Sequence, residues 1–162
     1  MTTFLEASVK KVVAVAAQNR APSPARHILL VDDNIPLLKL NAEVLTGSGY
    51  IVDTAADGAD AWQALRDINY DLLITDHKMP RLTGLELIKK LRSESKTLPI
   101  ILASGMLPTE ELKQHPWLHI DALLPKPFTI ASLLGAVREV LNAMDSVAKS
   151  ARLFGDGTIQ DD

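Results

Sequence analysis

His27-Ile28-Leu29-Leu30-Val31-Asp32-Asp33 runs through four consecutive large apolar residues into two carboxylates. An extended chain with four apolar residues in a row can offer neither face to water. The stretch therefore predicts a strand over 27–32 buried on both sides, as strands of a parallel sheet are. The same kind of run recurs at 50–54, at 70–76 (Tyr-Asp-Leu-Leu-Ile-Thr-Asp), at 99–104 (Pro-Ile-Ile-Leu-Ala-Ser) and at 121–125. Between these runs helices are expected over 35–47, 58–68, 84–93 and 109–114. Thr129 reads as the N-cap of a last helix over 130–144. Strands alternating one for one with helices are the pattern of βα units, so the fold class is α/β with a doubly wound parallel sheet.

Outside this rhythm the chain divides simply. In residues 1–25, Leu5, Val9, Val12, Val13 and Ala16 recur at helical spacing and predict an amphipathic helix. It is followed by Asn19-Arg20-Ala21-Pro22-Ser23-Pro24, which reads as a linker. Residues 26–145 form the globular domain, and residues 146–162 are expected to be a partly disordered tail. Two roles are open for the first helix, folding back on its own domain or associating with another chain, homodimer formation included. Residues 1–26 carry four Lys or Arg against Glu6, whereas the remainder carries thirteen against nineteen acids, a balance of −6. An acidic body speaks against a nucleic-acid surface, and direct DNA binding is not expected. No apolar run approaches the roughly 20 residues that span a bilayer, so no membrane segment is expected. The run Val12–Ala17 is shorter than a signal-peptide core. With no cysteine in the chain, these features point to a cytoplasmic protein without disulfides or thiolate chemistry.

The chemistry collects at strand ends. In open parallel sheets ligands bind beyond the carboxyl ends of the strands, and there the sequence places Asp32-Asp33, Asp76, Ser104 and Lys126-Pro127. A single aspartate in such a place is usually a turn former or helix cap. Three together repel one another unless a cation sits among them, and a hard divalent ion with oxygen ligands, Mg2+, suits that need. One carboxylate could then act as nucleophile toward phosphorus, with Lys126 balancing the phosphoryl charge and the Ser104 hydroxyl donating to it.

At these residues the sequence resembles the receiver (CheY-like) domain of two-component response regulators. The resemblance rests on Ile28-Leu29-Leu30-Val31-Asp32-Asp33-Asn34, on Asp71-Leu72-Leu73-Ile74-Thr75-Asp76-His77-Lys78-Met79-Pro80 with Gly84 beyond, on Leu102-Ala103-Ser104-Gly105, and on Leu124-Pro125-Lys126-Pro127-Phe128. It implies a flavodoxin-like (βα)5 sheet with strand order 2-1-3-4-5. It implies that Asp76 accepts phosphate from a histidine kinase or phosphotransfer protein. By the same resemblance Asp32, Asp33, Asp76 and the backbone carbonyl of Lys78 hold Mg2+, Ser104 and Lys126 contact the phosphoryl group, and Lys126-Pro127 is a cis peptide. Its output, a stand-alone receiver's, would be protein contact, through the last helix, the fifth strand and the fourth helix. Leu123 departs from the family pattern, standing where most members carry a Tyr or Phe ring that turns inward on activation. Lys78 and Met106 flank the approach of water to the acceptor and are expected to modulate the lifetime of the phosphorylated state.

Two other readings remain open from the sequence. The chain could be a receiver fragment of a larger hybrid kinase or regulator. It could also be a Mg2+-dependent phosphohydrolase, although such enzymes usually carry a second acid where Lys78 stands. Gly47-Ser48-Gly49 reads as a helix stop rather than a dinucleotide loop, because Val52 replaces the third glycine and a strand follows. His115 and His119 are separated by Pro116 and lack a third ligand nearby, and His77 reads as a bystander facing away from the acceptor.

Overall fold

The computed structural model describes residues 25–154. The helix expected in residues 1–25 and most of its linker lie outside the described residues. Five strands, β1 (His27–Val31), β2 (Ile51–Ala55), β3 (Leu72–Asp76), β4 (Ile100–Ser104) and β5 (Ala122–Pro125), alternate with five helices. These are α1 (Ile35–Gly47), α2 (Gly58–Asp67), α3 (Gly84–Ser93), α4 (Thr109–Gln114) and α5 (Ile130–Phe154). All four strand pairings are parallel and the order is β2-β1-β3-β4-β5, as expected.

Successive residues of a strand point to opposite faces of the sheet, and this explains the unbroken apolar runs. Ile28, Leu30, Leu72, Ile74 and Ile101 pack on one side with residues of α1 and α5 such as Val44, Leu45, Leu133 and Val137. Leu29, Val31, Leu73, Ile100 and Leu102 pack on the other with Ala61 and Leu65 of α2 and Leu85, Ile88 and Leu91 of α3. The inner strands β1, β3 and β4 thus serve two cores, and a polar residue in the middle of any of them would be buried whichever way it faced, whereas the edge strands β2 and β5 keep exposed positions.

Helix starts are set by side chains that accept from otherwise orphaned N–H groups. Asn34 accepts from the Leu37 N–H, Asp57 from those of Ala59 and Asp60, and Thr83 with Glu86 forms a reciprocal capping box. At the other end of α1 the Ser48 N–H closes on the carbonyls of Val44 and Leu45, and Gly49 turns the chain toward β2 at φ +94°. That conformation favours glycine, and the Gly47-Ser48-Gly49 stretch is indeed a helix stop.

Several boundaries differ from expectation: β1 ends at Val31 rather than at 32, β2 covers 51–55 rather than 50–54, and α2 ends at Asp67 rather than at 68. Residues 70, 71, 99 and 121 precede their strands, because the ladder pairs only from Leu72, Ile100 and Ala122. A short 3-10 turn at Pro116–Leu118 lies between α4 and β5. The largest difference is at α5, which does not stop at 144 but runs to Phe154, so residues 146–154 continue the helix instead of belonging to a disordered tail. No proline or glycine interrupts the chain between Gly135 and Gly155, and alanines at 143, 148 and 151 favour the helix.

Candidate functional site

The strand register brings the predicted residues to one edge. Val31 stands opposite Thr75, Asp76 opposite Ala103, and Ser104 opposite Pro125. Asp32 and Lys126, each one residue past its strand, therefore meet Asp76 and Ser104 at the carboxyl end of the sheet. Lys126 Nζ donates to Asp32 Oδ2 at 2.8 Å and lies 3.0 Å from Asp76 Oδ1. Carboxylate oxygens of Asp32, Asp33 and Asp76 lie within 4.8 Å of one another, and this is the one candidate metal-ligating group among the described residues. Asp32 and Asp76 are buried, whereas Asp33 faces solvent. The other oxygen of Asp32 is oriented by the Asn34 N–H at 2.9 Å.

Three carboxylates face one ammonium, and the acidity of the buried Asp76 is shifted. Burial is the largest influence on Asp76 and raises its carboxyl above the ordinary value; the charge of Asp32 adds to the rise, and Lys126 and the His77 N–H only partly offset it. Burial pulls Lys126 down, yet its bonds to Asp32 and Asp76 outweigh this and hold the ammonium above its ordinary value. Two like charges about 5 Å apart repel by about 3 kcal/mol at an effective dielectric of 20. A divalent cation among these oxygens would remove that repulsion, so the donor set fits Mg2+, a hard ion that prefers carboxylate oxygens.

Ser104 is 2% exposed, and its hydroxyl donates to the Met106 carbonyl while accepting from the Met106 N–H at 3.2 Å. A hydroxyl held only by its own loop is free to change partner if that loop moves. The Lys126-Pro127 peptide is cis, and the Lys126 N–H donates to the Ser104 carbonyl at 2.8 Å, tying the β5 end to the β4 end. Lys78 is exposed in the loop after β3, and Met106 is 72% exposed in the loop after β4. Leu123 lies in β5 with 39% of its surface exposed. The His77 N–H donates to the Ala103 carbonyl, and its ring Nδ1 is buried with no hydrogen-bond partner among the described residues. The His115 ring packs edge-on against Trp117.

The sequence reading missed Asp57. This carboxylate is 5% exposed, caps α2, and forms an ion pair with Arg81, which sits in the loop after β3 at a left-handed φ of 66°. Beside it, a Cβ on Gly58 would stand 2.3 Å from the Leu82 carbonyl oxygen. The loops after β2 and β3 are thus clamped together next to the acceptor. Its position, one before the first residue of a helix, was the available signal.

Comparison with known proteins agrees with this geometry. The family model for the response regulator receiver domain matches residues 28–138. Response regulator RppA of Synechocystis sp. is 36% identical over 69% of the chain, and response regulator MprA of Mycobacterium leprae is 35% identical over 82% of it. The chain spans only 49% and 60% of those two relatives, respectively. Among solved structures, the chemotaxis response regulator CheY4 of Vibrio cholerae superposes with a TM-score of 0.65 at 31% identity, over 72% of this chain and 98% of that one. TrrA of Thermotoga maritima, in complex with Mg(2+)-BeF, superposes with a TM-score of 0.63 at 32% identity over 71% of this chain and 98% of that one. No helix among the described residues is long and apolar enough to cross a membrane. The chain belongs to the response regulator receiver domain family, the signalling domains of two-component systems.

Proposed function

We propose that this chain is a phosphorylation-activated switch in which Asp76 is the phosphoacceptor. The reading is carried by the meeting of Asp32, Asp33 and Asp76 with Lys126 at one sheet edge. A carboxylate oxygen of Asp76 attacks the phosphorus of a phosphohistidine on a histidine kinase or phosphotransfer protein. The phosphorus–nitrogen bond breaks and the imidazole leaves with the electron pair, taking up a proton. Asp32, Asp33 and Asp76, with the Lys78 carbonyl, would hold Mg2+, which when bound supplies charge neutralisation for the phosphoryl oxygens. Lys126 stays at the same edge as the counter-charge on the acceptor, and Ser104 exchanges its Met106 carbonyl partner for a phosphoryl oxygen, moving the loop after β4. The signal passes by protein contact rather than by turnover of a substrate, through the face formed by α4, β5 and α5, where Leu123 offers no aromatic ring to the switch.

The test is phosphorylation by a small phosphodonor with Mg2+, read by mass spectrometry of the intact chain. One phosphoryl group per chain is expected, absent without Mg2+ and absent in Asp76→Asn. Equal labelling of Asp76→Asn would overturn the assignment of the acceptor.

A further inference from the structure

The end of α5 is a helix without a described neighbour. Leu133, Leu134, Val137, Val140 and Leu141 bury the first three turns against the sheet, and every residue from Asn142 to Leu153 is exposed. The apolar stripe does not end with the burial. Val137, Val140, Met144, Val147 and Ala151 continue it at alternating spacings of three and four residues. Val147 is 68% exposed and Met144 40% exposed. That spacing is the seam of a helix pair, and a helix extension of about three turns is marginal in water without a packing partner.

The chain itself supplies a candidate at this place. Arg26, the last residue before β1, bonds Asp71 at 3.3 Å and forms an ion pair with Asp145, on the turn where α5 leaves the domain body. The start of the globular domain is therefore held beside the exposed part of α5. Arg26 and Met144 also line one cavity of about 430 Å³ at the amino edge of the sheet, with Leu65, Ile68, Leu98 and Leu141 in its wall. In residues 1–24, Leu5, Val9, Val12 and Ala16 have spacings of four, three and four, the same seam pattern in complementary length. The seven residues 19–25 reach about 23 Å when extended, enough to turn the segment back along a helix whose free part, residues 145–154, is about 14 Å long. Packed antiparallel to α5, such a segment would set the two helix dipoles in favourable opposition.

We infer that residues 3–18 pack as an antiparallel helix on the free face of α5, seating Val12 and Ala16 against Met144, Val147 and Ala151 and covering the amino edge of the sheet. The acceptor edge lies at the opposite end of the strands and stays open. The occupant is the chain's own segment and not a second copy, because the Arg26 to Asp145 contact gives it a local concentration no free chain has.

The chain has no cysteine, which makes the test direct. In the full chain, Val147→Cys is combined with Ala16→Cys, with Val12→Cys, or with Lys10→Cys on the opposite face of the segment, and each is oxidised at low protein concentration. A disulfide within one chain is expected for the Ala16 or Val12 pairing and not for the Lys10 pairing, read by mobility on non-reducing gels. A covalent dimer formed as readily by Val147→Cys alone would overturn the proposal in favour of a second copy, and cross-linking equal in all three pairings would overturn it in favour of an unstructured segment. Independently, Val147→Asp should speed tryptic cleavage at Lys10 and Lys11 by about tenfold, because cleavage follows the population of the open form. Unchanged cleavage would likewise refute the docking.

Discussion

Gly84 lies so close to the backbone of Asp76 that a Cβ on the glycine would stand 2.2 Å from the Asp76 carbonyl oxygen. The Gly84 N–H also donates to the His77 carbonyl at 2.9 Å, so the first turn of α3 is seated directly on the residue proposed to take the phosphoryl group. Any side chain here must displace backbone rather than a flexible neighbour. Gly84→Ala is expected to lose about 2 kcal/mol of stability, an overpacking cost, and to slow labelling of Asp76. Gly105→Ala, where an added Cβ meets nothing within 4 Å, should stay within about 0.5 kcal/mol of wild type. Denaturant melts of the two variants distinguish a seat from a mere loop glycine.

Lys126 is the counter-charge for two buried carboxylates, with 22% of its side chain exposed. Replacing it with Met leaves Asp32 and Asp76 facing each other, and a loss of about 2 kcal/mol is expected, below the range for fully buried pairs because solvent still reaches the site. Adding Asp76→Asn to Lys126→Met should recover a large part of that loss. Strict additivity of the two substitutions in a double-mutant cycle would show that the contact carries no coupling.

The capping box of α3 makes stability depend on pH in a known direction. The Thr83 N–H and then the Thr83 hydroxyl hold the Glu86 carboxyl below its ordinary value of 4.5. A depressed acid contributes stability that is present above its unfolded value and lost as pH falls through its folded value. The difference in melting temperature between wild type and Glu86→Gln should therefore be present at neutral pH and shrink as the pH is taken below 4.5. A difference that is constant across this window would mean that the carboxylate charge plays no part in the cap.

The lifetime of a phosphorylated Asp76 depends on water reaching phosphorus in line with the leaving carboxylate. Lys78 and Met106 stand two residues after Asp76 and Ser104, and both are exposed at the rim of the site. A long cation on one side and an apolar chain that cannot orient water on the other should slow hydrolysis. Lys78→Asn and Met106→Glu are each expected to speed decay several-fold at fixed Mg2+ and pH, and identical rates in all three proteins would show that neither side chain controls access.

The inner strands β1, β3 and β4 were legible because each is buried on both faces, so the apolar runs stand out without any knowledge of neighbours. Three helices, at 35–47, 84–93 and 109–114, match to the residue; the first two start at local caps, Asn34 and Thr83 with Glu86, that act within their own turn, and the third has no side-chain cap. The extent of α5 was less legible. An exposed helical extension that buries nothing in the domain looks in sequence much like a tail, and only the uninterrupted helix through Phe154 separates the two.

By itself the sequence determined the layer architecture, the strand order through its family resemblance, and the identity of the residues at the carboxyl edge. The layers and the edge residues follow from periodicity and from residue types at strand ends, which are local properties of the chain, and the order follows from the motifs that carry the resemblance. Tertiary structure alone decided the clamp between Asp57 and Arg81, 24 residues apart, and the contact of Arg26 with Asp145, 119 residues away. No spacing rule pairs such residues, because their meeting depends on how loops after different strands pack and where a helix leaves the sheet.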